Sequence, residues 1–354
     1  MKKLFETAEV GKLTLKNRLL RSATFEKIVT DETGRSDRSL KEIYRALAEG
    51  GTAAIITGFI NVNQGPLQKH GLAGYDAERL REFKDAAALV HAYGVRIIPQ
   101  LNHEGVKEKL DEPYGPSPME WGGKKIRELT GGDLNVLTEA FAATAAALRE
   151  AGADAVEIHA SHGYLINQML SPIFNSRRDE FGGGLANRAR FLFLVLDAVR
   201  ARLGADYPIW VKVSLSDLTE GGLTEEDGIW QCEQLAARGA DALELSAGLG
   251  VDRGNSPSRS VETEGEGYFA AVSQKAADSV PEVSIVRVGG YRSIGAIEDV
   301  LSKSGADAVS LSRPLIREPG LPARWQSGDI SPALCISCNR CFKPGGYLRC
   351  QAKK

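Results

Sequence analysis

The sequence lacks the apolar segments that mark membrane and secreted proteins. No window approaches the run of about 20 apolar residues that a membrane-spanning helix requires. The first residues, MKKLFETAEVGKL, also lack the apolar core of a signal peptide. We therefore expect a cytoplasmic protein, in which the five cysteines stay reduced.

An excess of charge of one sign is also missing. The chain has 44 basic and 46 acidic residues, and its net charge is −2. Because no basic stripe stands out, the sequence does not favour a nucleic acid or an anionic membrane as partner. A small molecule is the expected partner, and a homo-oligomer stays open.

What the sequence does contain is an alternation of strand-like and helix-like segments. Helical stretches with apolar residues at i, i+3 and i+4, mostly closing on glycine, separate eight short apolar runs. This alternation predicts an α/β protein with a (β/α)8 TIM barrel, a fold of roughly 250 residues plus insertions, which a chain of 354 residues accommodates. The runs are LLRSAT (19–24), AAIITG (53–58), RIIPQL (96–101), AVEIHA (155–160), PIWVKV (208–213), ALELSA (242–247), VSIVRVGG (283–290) and AVSLSR (308–313).

We predict one barrel domain over residues 1–328 and a short cysteine-containing tail over 329–354. Two connections are long, 102–135 after the third strand and 161–187 after the fourth, and long loops on this face of a barrel usually shape the substrate site. The fourth strand would deliver His159 and His162 into the second loop, and Asn187 is predicted to cap the next helix.

Polar residues and glycines lie at the strand ends, where barrel active sites form. Strand three ends at Gln100, strand seven in Gly289-Gly290, and strand eight in Ser312-Arg313. Bare backbone N–H groups and a guanidinium match the recurrent phosphate site of barrels, so we expect a phosphorylated ligand. The alternative is a tight turn at the glycines and an Arg313 that pairs with a surface acid.

Lys212 lies within an apolar strand and needs a partner, because a desolvated ammonium is costly. Three roles are open. It could form a Schiff base, hold a fixed positive charge beside a ligand that becomes anionic, or pair with a neighbouring acid such as Glu157 or Glu244.

His159 and His162 have a spacing that could also serve zinc. However, His159 closes a strand, and no third ligand is evident. Two neutral imidazoles that donate to one ligand oxygen fit the pattern better.

Several motifs resemble those of the old yellow enzyme family of FMN-dependent ene-reductases, in particular the barrel half of 2,4-dienoyl-CoA reductases and related NADH:flavin oxidoreductases. The resemblance covers roughly residues 3–320. It is carried by LTLKNRL (13–19), PQLNHEG (99–105), LTGGDLNVLTEAF (129–141), EIHASHGYLINQMLSP (157–172), GGLTEEDG (221–228) and LSRPLIREP (311–319).

The resemblance implies FMN as cofactor and NAD(P)H as electron donor. Ser22, Ala23 and Gly58 would line the isoalloxazine, Gln100 would bond its pyrimidine edge, and Lys212 would lie by N1 and the C2 carbonyl. The FMN phosphate would be held by Gly289, Gly290, Ser312 and Arg313.

The resemblance also implies the catalytic residues. His159 and His162 would grip the electron-withdrawing oxygen of an alkene substrate, and Tyr164 would protonate the α-carbon. No strand-linked GxGxxG is present, so we expect NAD(P)H to use the same mouth as the substrate. Phe25 departs from the family pattern near the flavin C4 carbonyl, which leaves the redox tuning there open, and Val106 departs from it after strand three, which leaves the alkene unspecified. The competing function is a lyase or aldolase that acts on a phosphorylated metabolite through Lys212.

The tail contains a cysteine cluster that the barrel does not explain. Cys335, Cys338 and Cys341 are each three apart, and Cys350 follows. Four thiolates could bind an iron–sulfur cluster or zinc. The segment resembles the cluster-binding region of dienoyl-CoA reductases, but the second interval is one residue shorter. Free thiols or a disulfide are the alternative. We expect any metal here to be dispensable for the reduction of FMN by NAD(P)H.

Overall fold

The computed structural model describes residues 2–26, 40–62, 72–73, 77–251, 254–342 and 348–352. The strands are β1 Ala8–Val10, β2 Leu13–Leu15, β3 Leu19–Arg21, β4 Ala54–Asn61, β5 Leu72–Ala73, β6 Arg96–Asn102, β7 Tyr114–Gly115, β8 Met119–Trp121, β9 Lys124–Glu128, β10 Val156–Ala160, β11 Ile209–Ser214, β12 Ala242–Ser246, β13 Ser284–Arg287 and β14 Ala308–Leu311.

The helices lie mainly between the strands of the large sheet. They are α1 Leu40–Glu49, α2 Ala77–His91, α3 Gly131–Glu150, α4 Leu165–Leu170, α5 Leu185–Arg188, α6 Arg190–Leu203, α7 Glu225–Ala237, α8 Val261–Glu264, α9 Ala270–Ser279, α10 Ile294–Lys303, α11 Arg313–Arg317 and α12 Leu321–Gln326. In the part of the chain that the structure describes, none of them is both long and apolar enough to cross a membrane.

Eight parallel strands close into a barrel, so the predicted fold is confirmed. The order is β3, β14, β13, β12, β11, β10, β6 and β4, and β4 pairs again with β3. All eight sequence runs contribute one barrel strand each. Strand β10 is buried along its whole length, as expected for a strand covered by helices outside and by side chains inside.

The amino end of the barrel is closed by the β1–β2 hairpin. Its apolar residues pack on the inner residues of the strands, among them Trp210. The Trp210 Nε1 donates to the Gly11 carbonyl at 3.1 Å. Gly11 has a φ of 50°, and a Cβ there would lie 2.4 Å from the same indole nitrogen, so both the turn and the close approach require glycine. This plug leaves the opposite end of the barrel as the mouth.

The two long connections differ from the sequence expectation in their detail. The first contains a small sheet of β7, β9 and β8, and α3 begins at Gly131 with a capping box between Thr130 and Asp133. In the second, the cap prediction for Asn187 is wrong. Asn187 lies inside the short α5, and Ala189 precedes α6 without a side-chain cap.

Candidate active site

A cavity of about 670 Å³ opens at the carboxyl ends of the barrel strands, within the range of small-molecule sites. It is lined by every residue that the sequence singled out for cofactor or substrate except Gly58. A Cβ at Gly58 would lie 2.8 Å from the Thr24 carbonyl oxygen, so this residue backs the wall. The predicted residues on the wall are Ser22, Ala23, Gln100, His159, His162, Tyr164, Lys212, Gly289, Gly290, Ser312 and Arg313.

The floor of the cavity carries a buried ion pair. The Lys212 ammonium on β11 contacts the Glu244 carboxylate on β12, and these two residues are directly paired across the strands. Lys212 also donates to Ser22 Oγ at 3.1 Å. Glu244 accepts further hydrogen bonds from the hydroxyls of Ser22 and Ser310. The structure thus shows Lys212 in an ion pair, which is one of the three roles that the sequence left open.

A second buried carboxyl group, that of Glu157, lies beside this pair, and no cation among the described residues forms a salt bridge with it. Gln100 Nε2 on β6 donates to Glu157 Oε2 on β10 at 2.7 Å. The other oxygen, Oε1, has no hydrogen-bond partner among the described residues. Burial, followed by the nearby Glu244 charge, raises the pKa of Glu157 to about 8, although Lys212 and the Gln100 hydrogen bond oppose the shift. Glu157 therefore titrates in the neutral to mildly alkaline range.

His159, His162 and Tyr164 form an aromatic cluster at the mouth. The ring centroids of the two histidines are 5.3 Å apart, and those of His159 and Tyr164 are 4.9 Å apart. His162 has a φ of 61° and contacts Ser246 Oγ through Nε2 at 2.8 Å. Burial, and then the Lys212 charge, holds the pKa of both imidazoles well below the usual range. Both are therefore neutral near pH 7 and can serve as hydrogen-bond donors.

Sequence reasoning missed a lysine in this cluster. Lys107, on the loop after β6, donates to the carbonyl oxygens of His162 at 2.7 Å and Leu249 at 3.1 Å. Its ammonium lies 4.8 Å from the centroid of the Tyr164 ring. Burial lowers the Lys107 pKa to about 8. One ammonium thus links three loops of the mouth.

Burial also controls the protonation of Tyr164. Its pKa is raised from the ordinary value, first by desolvation and then by the Glu104 charge. The phenol is therefore fully protonated at neutral pH, as a proton donor must be. Tyr164 further contacts Phe59, whose ring stacks on Phe25 at 5.3 Å.

The other end of the cavity contains the predicted phosphate cradle. Gly289 and Gly290 have φ values of 133° and 80°, conformations that L side chains rarely adopt. The Arg313 guanidinium donates to Asn339 Oδ1 at 2.8 Å and to the Tyr268 hydroxyl at 3.3 Å. Ser312 Oγ contacts Thr24 Oγ1 at 2.8 Å.

Arg313 is only 7% exposed, yet its hydrogen-bond partners among the described residues are all neutral. Across the residues that the structure covers, no carboxylate lies within 4.0 Å of its guanidinium. The pairing with a surface acid that the sequence left open is thus not found among these residues. A buried cation without a counter-ion favours an anionic ligand, so this end of the cavity suits a phosphate.

The four tail cysteines, all of them described residues, are not arranged as a ready metal site. Cys338 is exposed, and Cys335, Cys341 and Cys350 are half-buried. The Cys341 thiol has a raised pKa, first through burial and then through the neighbouring Cys335, against the opposing charge of Arg313. Among the described residues, which omit 343–347, no group of three metal-ligating side chains is suitably arranged.

Comparison with known proteins gives the family. The profile of the NADH:flavin oxidoreductase / NADH oxidase family matches residues 3–330. The chain belongs to this family. The membership expected from the sequence motifs is confirmed.

Two relatives illustrate the range of lengths in the family. An NADPH dehydrogenase of Geobacillus sp. strain WCH70 is 33% identical over 90% of this chain and 92% of its own length. An NADH oxidase of Thermoanaerobacter brockii is 30% identical over 95% of this chain, but over only 52% of its own length.

A solved structure of a 2-naphthoyl-CoA reductase complex superimposes with a TM-score of 0.86 and 25% identity, covering 96% of this chain and 54% of the other. The chain therefore spans about half the length of several proteins that it matches.

Proposed function

We propose that this protein is an FMN-dependent oxidoreductase that transfers a hydride from NAD(P)H to an activated C=C bond, such as that of an enone or enoyl compound. The observation that carries the proposal is the buried Arg313, which has no acidic partner among the described residues, at one end of a cavity whose other end holds the histidine pair and Tyr164. When bound, FMN supplies the N5 position that accepts and passes on the hydride.

The chain's residues fit this cofactor at both ends of the cavity. Arg313 and Ser312, with the N–H groups at Gly289 and Gly290, would hold the phosphate. Ser22 and Ala23 would border the isoalloxazine, whereas Gly58 lies behind the cavity wall. The carboxyl group of Glu157 accepts from the Gln100 amide nitrogen, which leaves the amide oxygen to accept from the pyrimidine edge.

Substrate activation would fall to the aromatic cluster. Hydride addition to a β-carbon leaves negative charge on the substrate oxygen, and the neutral imidazoles of His159 and His162 can donate hydrogen bonds to that oxygen as the charge develops. The phenol of Tyr164 can then protonate the α-carbon. Lys107 holds the loop that carries this cluster.

The lyase or aldolase alternative is not favoured. A Schiff base requires a free amine at Lys212, whereas the ammonium is held in the buried pair with Glu244. A lysine that is held in a buried ion pair is not free to attack a carbonyl carbon.

The tail cysteines support a separate proposal, which is that they bind an iron–sulfur cluster or zinc. Four cysteines within a short tail favour this, while the arrangement of the described residues does not provide a formed site, so no step of the reaction depends on it. Anaerobic purification followed by iron, sulfide and zinc analysis tests occupancy. A Cys338→Ser protein that keeps FMN but is not reduced by NAD(P)H would contradict the view that the metal is dispensable. Cytoplasmic location and self-association likewise stay predictions.

The absorption spectrum of the purified protein tests the main proposal. We expect a flavin band that NAD(P)H bleaches under anaerobic conditions and that an enone restores. A colourless protein that borohydride traps together with a keto substrate would support the lyase instead.

A further inference from the structure

The cysteine tail packs across the phosphate end of the cavity. The Ala333 backbone N–H donates to the Arg292 carbonyl at 2.8 Å, and the Arg292 guanidinium contacts the Ser337 hydroxyl. Two tail residues, Asn339 and Phe342, line the cavity itself. The tail is therefore part of the wall around the predicted phosphate position.

Asn339 makes the most direct connection. Its Oδ1 accepts from Arg313 Nη1 at 2.8 Å, and its Nδ2 donates to the Ser258 carbonyl at 2.8 Å. The Ser337 carbonyl adds a weaker contact to the same guanidinium at 3.5 Å. One amide thus bridges the barrel arginine and the loop that follows β12.

The bridge fixes which end of the amide faces Arg313. Since the Ser258 carbonyl can only accept, the amide nitrogen must point toward it and the amide oxygen toward the guanidinium. An amide oxygen orients a cation without cancelling its charge, whereas a carboxylate at this position would neutralise it. Asn339 also adopts a φ of 54°, a conformation that asparagine tolerates better than most residues.

We propose that Asn339 is a positioning residue that holds the Arg313 guanidinium toward the cofactor phosphate, so that the tail helps the site to select the phosphorylated flavin over the unphosphorylated one. This inference rests on the proposed FMN function. It assigns to the tail a role that does not depend on metal binding.

The test compares FMN with riboflavin as ligands of the apoprotein, with flavin fluorescence as the readout. Asn339→Gly removes the side chain and keeps the positive φ accessible. We expect its affinity for FMN to fall about tenfold, as for the loss of one hydrogen bond to a charged group. Affinity for riboflavin should change less than about twofold. Ile336→Gly is the matched control, because Ile336 is an exposed tail residue that does not line the cavity.

Two further variants separate positioning from general damage. Asn339→Asp should weaken FMN binding more than the glycine variant does, because its carboxylate would compete with the phosphate for Arg313. In an Arg313→Ala background, Asn339→Gly should cause no additional loss of FMN affinity.

Equal weakening of FMN and riboflavin, unchanged FMN affinity, or full additivity with Arg313→Ala would each overturn the inference. A wild-type protein that binds neither flavin would instead contradict the proposed function, so the two failures are distinguishable.

Discussion

The two ends of the cavity differ in whether their buried cation is paired with a carboxylate. At the floor, Lys212 is paired with Glu244 inside the barrel. At the phosphate end, Arg313 has only neutral partners within the described residues. A neutralised pair adds little net charge for a ligand, whereas a cation held by neutral acceptors keeps its attraction for an anion. We infer that the Arg313 end governs cofactor affinity, and that the Lys212 end, with the adjacent histidines and Tyr164, governs reactivity and pH response.

The largest expected effect is on the rate of enone reduction at the end of the cavity that contains Tyr164. Tyr164→Phe should slow enone turnover by roughly 10²–10⁴-fold, the usual cost of losing a positioned proton donor. FMN affinity should stay unchanged. Turnover with a quinone, which needs no protonation at carbon, is the internal control in rapid-mixing experiments. Equal slowing of quinone and enone would refute the assigned role.

The second effect concerns affinity at the phosphate end. Arg313→Ala should weaken FMN binding by several hundred-fold or more, since removing one partner of a buried charge pair costs about 3–5 kcal/mol. The melting temperature of the apoprotein should not fall, because the variant removes a buried cation that has no counter-ion in the part of the chain that the structure describes. Arg317→Ala, one turn later in the same helix, is the matched control. A folded Arg313→Ala protein that retains stoichiometric FMN would count against the phosphate assignment.

The third effect is on stability and contrasts two neighbouring carboxylates. Glu244→Gln leaves Lys212 buried without its partner and should lower the free energy of unfolding by about 3 kcal/mol or more. The same change at Glu157, which forms no salt bridge within the described residues, should cost much less at neutral pH. Denaturant unfolding of both apoproteins measures the difference. Similar losses of unfolding free energy in the two variants would show that the ion pair with Lys212 does not distinguish Glu244 from Glu157.

The smallest effect is a pH dependence at Glu157. Its folded-state pKa of about 8 lies above the ordinary carboxyl value. At a pH between these two values, the folded protein therefore binds more protons than the unfolded chain. This stabilising contribution is complete at low pH and is lost as the pH rises through about 8. The melting temperature of the wild type should therefore decline more steeply between pH 6 and pH 9 than that of Glu157→Gln. Parallel declines would contradict the shifted pKa.

Much of the fold was predictable because it depends on local patterns. The eight apolar runs became the eight barrel strands, and the carboxyl ends of parallel strands meet at one mouth. Residues near the carboxyl ends of different strands, such as Gln100 and Arg313, could therefore be assigned to one cavity from sequence. For Lys212, sequence could name the candidate acids but could not choose between Glu157 and Glu244.

The parts that sequence missed depend on distant contacts. Lys107 is held by carbonyls that lie 55 and 142 residues further along the chain. Because every residue has a backbone carbonyl, residue types do not reveal such contacts. Asn339 contacts Arg313, which is 26 positions away. In the tail that contains Asn339, the sequence showed only the spacing of the cysteines. Asn187 had the right residue type for a cap, but the short helix that precedes α6 already includes it.

The most direct test of the contrast between the two cations is the affinity of the wild-type apoprotein for FMN and for riboflavin, measured by fluorescence titration at one salt concentration. The two ligands differ by the phosphate alone. If Arg313 binds the FMN phosphate, FMN should bind at least about a hundredfold more tightly than riboflavin. This preference for FMN should vanish in Arg313→Ala. Equal affinities in the wild type would contradict the account.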